Sequence, residues 1–255
     1  MWAQERHRRI QGLLHQFKQM SADDLARDLD VSRETIRRDL LELEGAGLLK
    51  RVHGGAVLPD PPSEAPFADR LQVRRKEKQA IARAAIREIK PGQVCFVDAG
   101  STTAILAAEL GKIAGLTVIT NSIDVAATLN GLRQDVTTLL LGGRLHSDVP
   151  GTYGELTLSE VARFRADVAL LSPVGVHPEH GATDFVLHEA EIARSMIQQS
   201  QRVIFLADHA KIGSVSRVSI CPCSRIDMVI TDAGADRRQL AALRQAGLGE
   251  TILAD

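Results

Sequence analysis

"SRETIRRDLLELEGAGLLKRVHGGAV", Ser32 to Val57, sets three arginines among apolar residues at helical spacing and ends near a glycine pair, in a chain whose net charge is only -1. At about 100° per residue, Ile36, Leu40 and Leu43 share one side of a helix that Ser32 caps and Gly45 and Gly47 stop. Arg38 falls opposite, with Glu34 beside it and Thr35 and Arg37 on its flanks. A groove-reading helix presents polar side chains from its N-terminal half, and arginine is the commonest reader of guanine. An ordinary solvated face, with Glu34, Arg37, Arg38 and Glu42 in i,i+4 charge pairs, would use the same residues. The next stretch tips the balance: Lys50, Arg51 and His53 lie in a strand that turns at Gly54-Gly55, as the basic wing of a winged helix would.

Upstream, Ile10, Leu13, Leu14 and Phe17 form an amphipathic stripe, so Gln4 to Phe17 is a first helix. Ser21 precedes Asp24 by three residues in a capping-box-like start, and Leu25, Ala26 and Leu29 mark a short second helix. A tight "LDVS" turn leads into the third, which is helix-turn-helix organisation.

These residues resemble a family. "TIRRDLLELEGAGLLKRVHGGAV" (35–57) is similar to the DNA-binding domain of the DeoR family of bacterial sugar-metabolism regulators, and the resemblance extends from near Gln4 to about Leu253. It implies that Thr35, Arg37 and Arg38 lie on the DNA-reading helix, that His53 to Ala56 form the wing, and that repression is the default action. The candidate DNA-binding set is Ser32, Arg33, Glu34, Thr35, Arg37, Arg38, Lys50, Arg51, His53, Gly54 and Gly55, and the partner is double-stranded operator DNA.

The segment "VLPDPPSEAP" (57–66) holds four of the nine prolines and reads as a stiff connection. The chain therefore divides into a winged helix-turn-helix over 1–57, a linker over 58–69, and a larger domain over 70–255. At 255 residues, 44% hydrophobic and 25% charged, it is an ordinary globular composition with room for both. No apolar run approaches the roughly 18 residues of a membrane span, and the N-terminus lacks a signal-peptide core, which points to the cytoplasm. With 31 basic against 32 acidic residues, nucleic-acid binding must rest on a local patch. One small winged helix buries too little surface for tight operator binding, so a homo-oligomer is expected.

After a basic helical segment, Arg70 to Lys90, near-continuous apolar runs at 94–100, 116–121, 136–143, 168–175, 202–208 and 227–232 alternate mostly with helical stretches. Strands buried on both faces read this way, so the fold class is α/β with a mostly parallel sheet. Polar groups and glycines follow the runs and converge if the strands are parallel. The candidates are Asp98, Gly100, Ser101, Thr102, Thr103, Thr120, Asn121, Ser122, Gly143, Arg144, Asp208 and Lys211. The "GSTT" turn at a helix start favours an anion, phosphate in particular, although plain N-capping explains many such turns.

The order "DAGSTT", "TNS", "LGGR", "GATD", "LADHAKIG" is similar to the effector domain of the same family, which implies a fold related to ribose-5-phosphate isomerase and a phosphorylated sugar as ligand. Two departures stand out: Ala193 where family members commonly carry a basic residue, and Ile212 where they carry Phe. Glu189 and Glu191 either face the site or are solvated charges. An isomerase-like enzyme, with Asp98, Asp208, Glu189 and Lys211 as acid/base groups, is the alternative. "TDAGAD" (231–236) matches an isomerase signature only in composition, and no catalytic residue, cofactor or metal is assigned. Cys221-Pro222-Cys223 reads as two reduced thiols in a loop, against a metal or redox sensor.

Overall fold

A computed structural model of the chain describes residues 2–17, 19–45, 49–52, 54–57, 64–132, 135–145 and 148–255. They fall into two compact units, Met1–Glu64 and Ala65–Asp255.

In the first unit, α1 (Ala3–Phe17), α2 (Ala22–Asp28) and α3 (Arg33–Gly45) enclose Ile10, Leu14, Leu25, Leu29, Ile36, Leu40 and Leu43, none more than 5% exposed. The caps are those the sequence calls for. Ser21 accepts the Asp24 N–H at 3.0 Å, as an N-cap does, and the Asp24 carboxylate accepts the Ser21 hydroxyl at 2.7 Å, where a longer capping-box Glu would reach the Ser21 backbone N–H. Ser32 accepts the Thr35 N–H at 3.2 Å.

Three short antiparallel strands, β1 (Gln19–Ser21), β2 (Lys50–Val52) and β3 (Gly55–Val57), pair in the order β1-β3-β2. The sequence reading has the β2–β3 wing but lacks β1, which is too short to show a pattern of its own. Its presence explains the second glycine of the wing: a Cβ at Gly55 would lie 2.1 Å from the Met20 carbonyl oxygen. Gly54, at φ +84°, makes the turn.

The second unit opens with α4 (Phe67–Gln72) and α5 (Arg75–Ala85). Thus α4 starts inside the stretch 58–69 expected to be an extended connection, whose residues 58–63 lie outside the described ones. The expected basic helix is two helices, because Arg74 sits in the left-handed region at φ 50° between them.

A central sheet follows. Its strands are β4 (Val94–Val97), β5 (Leu116–Thr120) and β6 (Val136–Leu140), separated by α6 (Ser101–Leu110) and α7 (Ile123–Gly131). A hairpin, β7 (Arg144–Leu145) and β8 (Thr152–Tyr153), leads to α8 (Glu155–Val161) and β9 (Ala166–Leu171). Then come β10 (Gly175–His177), β11 (Gly181–Asp184), α9 (Leu187–Gln198), β12 (Ser200–Leu206), β13 (Val218–Cys221), β14 (Met228–Asp232), α10 (Arg237–Gln245) and β15 (Glu250–Ala254).

Seven strands pair in the order β15-β14-β12-β9-β4-β5-β6, every neighbour parallel. The seventh, β15, is not among the expected runs: its Glu250 start and exposed Leu253 give an edge strand no continuous apolar core. A separate antiparallel sheet, β10-β11-β13, is also new.

Alternation along the strands fills two cores. Cys95, Val97, Val168, Leu170, Ile204 and Leu206 face α5, α6 and α7, and Phe96, Ala169, Leu171, Val203 and Phe205 face α8, α9 and α10. From β4 the chain winds outward through β5 and β6, then returns to the other side of β4 as β9 and winds away again. The reversal creates a switch point between the carboxyl ends of β4 and β9, where ligands of open α/β sheets bind.

Candidate functional site

On α3 the charged residues do not pair with one another as a solvated face would. Arg37 and Arg38 are exposed, and among the described residues neither has a side-chain hydrogen bond or an ion pair. Arg33 pairs instead with Asp23 at 3.1 Å, and Thr35 is half-buried with its hydroxyl 2.8 Å from Ser32 Oγ. Glu34 is exposed beside Arg38, and Lys50 is exposed on β2. Arg51, expected in the DNA-binding wing, is partly committed: its Nε meets Glu44 Oε2 at 2.7 Å and its N–H donates to Oε1 at 2.9 Å, holding Glu44 below the usual carboxylate range. It braces the wing against the end of α3. His53 lies outside the described residues.

Asp39 on α3 reads in the sequence as one more surface charge. It is 3% exposed and takes Arg6 Nε at 2.5 Å and Arg6 Nη2 at 2.9 Å, with His7 Nε2 at 3.0 Å. Burial pushes its carboxyl up, but the Arg6 and His7 hydrogen bonds outweigh it and leave the group below its ordinary range. This cluster locks α1 across α3 and sets the angle at which Arg37 and Arg38 are presented.

In the second unit, Asp98 follows β4 and Ser172 follows β9. The Ser172 N–H donates to Asp98 Oδ2 at 2.8 Å, closing the switch point, and a Cβ on Gly100 would stand 3.0 Å from the Ser172 side chain. Asp98 Oδ1 is closed off from solvent. Burial pushes the carboxyl up to about 7; the Ser172 N–H and the Thr103 hydroxyl pull it back, and nearby Asp184 raises it further. Thr103 itself donates to the Gly100 carbonyl at 3.0 Å.

The start of α6 is bare. Its N-cap is Gly100, which offers no side chain, and no acidic residue occupies the first turn, whereas α2, α7 and α10 are capped by Ser21, Ser122 and Asp236. Against this end stands a residue missed from sequence. Lys78 on α5 is 3% exposed, and its Nζ donates to Ser101 Oγ at 2.9 Å and to the Arg70 carbonyl. Burial lowers it to about 8, the neighbouring Lys211 adding to the effect and Asp208 opposing it. A lysine in a helix full of Lys and Arg carries no sequence signal; only the packing of α5 on the sheet selects it.

Lys211 donates to the Pro173 carbonyl at 2.6 Å and to Ser172 Oγ at 3.3 Å. Asp208, 1% exposed, is met by Arg74 Nε at 2.8 Å and accepts the Ala210 N–H at 3.1 Å. Arg74 reaches it from a backbone conformation that costs a bulky residue on the order of 1–2 kcal/mol, a strain of the kind that clusters at ligand sites. Asp184, 6% exposed, accepts the Phe185 N–H at 2.6 Å and is hydrogen-bonded by Glu189, its carboxyl raised mainly by burial. So Asp98, Gly100, Ser101, Thr103, Asp208 and Lys211 gather as expected, joined by Lys78, Arg74, Ser172, Asp184 and Glu189.

Other expected site residues have structural work. Thr120 donates to the Val97 carbonyl at 2.7 Å, and Ser122 accepts the Val125 N–H at 3.2 Å. Thr102 is wholly buried, its hydroxyl lacking a partner among the described residues. Asn121 donates to the Thr152 carbonyl at 3.0 Å and keeps a buried Oδ1 that has no partner among the described residues. Gly143, at φ +147°, lets the chain pass Thr157 and Tyr153. Arg144 is exposed in the β7–β8 hairpin and makes no side-chain bond to the crevice among the described residues. Ala193 is 3% exposed in the core, and Ile212 packs against the same core, so both departures act on packing. In "TDAGAD", Asp232 is bound by the His209 N–H at 2.7 Å and Nδ1 at 2.8 Å, and Asp236 caps α10. Cys221 and Cys223 are buried thiols, Cys221 pushed up to about 12 by burial, and no metal-binding cluster occurs among the described residues. No described helix is long and apolar enough to cross a membrane.

Residues 6–61 match the DeoR-like helix-turn-helix domain and residues 73–233 the DeoR C terminal sensor domain. The chain is 36% identical over 229 residues to the glycerol-3-phosphate regulon repressor of Escherichia coli (strain K12), covering 90% of each. It is 36% identical over 235 residues to the HTH-type transcriptional repressor GlcR of Bacillus subtilis (strain 168), covering 91% of this chain and 89% of that one. Among solved structures, a D-ribose-5-phosphate isomerase in complex with phospho-erythronic acid shows 18% identity and a TM-score of 0.40 over 54% of this chain and 53% of that one. With both units matched by the family's models, and relatives this similar over nearly their whole length, the chain belongs to the DeoR family of transcriptional regulators.

Proposed function

We propose that the protein is a sequence-specific operator-binding repressor of carbohydrate catabolism genes, released or engaged by a phosphorylated sugar or polyol held at the switch point. The observation that carries the ligand assignment is the bare N-terminus of α6 facing the buried Lys78 ammonium, 2.9 Å from Ser101 Oγ. First-turn N–H groups without a side-chain cap, the helix dipole, a hydroxyl and a desolvated cation together suit a phosphate dianion. The carboxyls of Asp184 and Glu189 then take the hydroxyls of the carbon chain. The relative named for a glycerol-3-phosphate regulon makes a small phosphorylated polyol the first compound to titrate.

The site binds and does not turn over. The raised Asp98 carboxyl has the proton affinity of a general base, but its Oδ1 is closed from solvent and its Oδ2 is taken by Ser172. We further assign the protein to the cytoplasm and to a homo-oligomer, since two helix-turn-helix units on two half-sites multiply a weak single contact. For the ligand to act it must favour one arrangement of the paired DNA modules, and its differential affinity sets the shift, typically about 1–3 kcal/mol.

Calorimetry with paired phosphorylated and unphosphorylated compounds, followed by operator titration with any binder, tests both steps. Ser101→Asp should abolish ligand response by like-charge repulsion and leave ligand-free operator binding intact. A response unchanged in that variant, or binding of unphosphorylated sugars alone, sinks the phosphate site.

A further inference from the structure

We infer that the free edge of β6 is the surface on which a second copy of this chain docks, the two β6 strands pairing antiparallel about a twofold axis. This rests on the homo-oligomer reading above and names its surface.

The two edges of the seven-stranded sheet are finished differently. On the β15 edge, Glu250 is exposed, Arg244 of α10 donates to Thr251 Oγ1, and Arg83 reaches the Asp255 carbonyl at 3.5 Å. Charged side chains over an edge are a standard guard against further pairing. On the β6 edge, Glu160 of α8 accepts the Gly142 N–H at 2.5 Å just past the strand's end, but among the described residues no charged side chain bonds to Val136–Leu140. Among the described residues β6 pairs only with β5, and from Val136 to Gly143 the chain has no charged residue, no proline and only apolar, threonine or glycine positions.

Exposed leucines collect there. Leu139 and Leu140 are 39% and 49% exposed in a strand whose sequence, "VTTLL", reads as core. Just beyond the strand, a Cβ on Gly142 would be 3.3 Å from Leu156 Cδ2, and Leu156 is itself 56% exposed; Leu145 is 69% exposed on β7. Apolar groups left open along an unprotected edge mark an interaction surface.

Self-pairing fits this strand better than a partner of other chemistry. An antiparallel pairing of identical strands is isologous, so it demands only that the strand complement itself. With the axis at Thr138, Thr137 faces the partner's Leu139 on one side of the sheet, and Val136 faces the partner's Leu140 on the other. Each pair joins a β-branched residue to a leucine, and no like charges meet. Adding an antiparallel strand to the edge of a parallel sheet is common in mixed sheets.

The full-length chain is examined by light scattering and sedimentation at micromolar concentration. The wild type should be dimeric or larger. Leu139→Glu buries a carboxylate opposite Thr137 twice and should weaken association at least ~100-fold. Thr137→Lys added to Leu139→Glu sets opposite charges face to face twice and should recover association to within ~10-fold of the wild type. A monomeric wild type overturns the oligomer reading itself. A wild-type oligomer that Leu139→Glu leaves intact, with an unchanged thermal melt, overturns only the β6 surface and leaves that edge to some other occupant.

If Leu139→Glu does not fold, mixed Thr137→Cys chains and Leu139→Cys chains are mildly oxidised instead. The native thiols, at most 6% exposed, stay silent. A disulfide between the two variants is expected, and its absence overturns the register.

Discussion

Lys78 and Asp98 sit in one crevice with proton affinities displaced toward neutrality, the lysine down to about 8 and the aspartate up to about 7. Both make phosphate binding pH-dependent in the same direction. Above about pH 8 the free site loses the Lys78 proton, and above about 7 Asp98 acquires a charge, so affinity should fall steeply as pH rises through that window. Below about pH 6 the phosphate dianion itself takes up a proton and becomes a monoanion. Calorimetry from pH 5.5 to 9 should therefore show a maximum between roughly 6 and 7.5, and Lys78→Met should flatten the alkaline limb while weakening binding at least ~10-fold. Asp98 also carries a stability prediction. Its folded value lies above the unfolded 3.8, so the folded chain keeps a proton the unfolded chain has lost, and stability is lost as pH rises from about 4 to 7. Three units correspond to on the order of 4 kcal/mol. Asp98→Asn, which keeps an acceptor for the Ser172 N–H, should raise the melting temperature clearly at pH 8 and little at pH 4.5. On α3, Arg38→Ala should cost about 1–3 kcal/mol of operator binding and relax preference at one base pair, whereas Lys50→Ala should weaken all sequences alike and lower the salt slope by about one.

At the scale of elements, the recognition helix depends on its tether. Asp39 holds Arg6 and His7 across from α1, so Asp39→Asn leaves Arg6 with a weaker partner near the core. Because Arg6 remains 12% exposed at its side chain, the cost should be about 2–3 kcal/mol, below that of a fully buried pair. Chemical denaturation of residues 1–64 within the full chain, followed by a probe on α1, measures it. The Asp39 contribution is present above the unfolded carboxylate value and is lost as pH falls through the lower folded value. The wing fails differently. Gly55→Ala pushes a methyl carbon against the Met20 carbonyl, separating β3 from β1.

For the whole molecule, each unit has its own core, so damage in one should stay there. Gly55→Ala should abolish operator binding while leaving the calorimetric titration with a phosphorylated ligand within twofold of the wild type; a parallel loss of ligand binding would contradict separate cores. A chain of residues 65–255 should fold alone and keep the ligand, with circular dichroism and calorimetry as the check. The parallel sheet supplies this independence: its two faces are covered by its own helices, α5, α6 and α7 on one side and α8, α9 and α10 on the other.

Local pattern alone determined a good deal. The α3 stripe, the Ser21 and Ser32 caps, the Gly54 turn, six of the seven sheet strands and the convergence of Asp98, Ser101, Asp208 and Lys211 were legible because periodicity, capping and strand ends are short-range properties. The edge strand β15 escaped, since a strand buried on one side only has no continuous apolar run. So did the three-residue β1, which is a strand only because Gly55 lets it close on β3. The tertiary structure alone decided which polar residues act together. Asp39 and Lys78 look like surface charges in their helices, and Thr120, Ser122 and Arg144 look like ligand groups at strand ends. Their roles follow from what packs against them: Arg6 across Asp39, Ser101 against Lys78, the Val97 carbonyl over Thr120, and solvent around Arg144. Burial and partnership are long-range properties, set when distant segments meet, and no window of sequence contains both sides of such a contact.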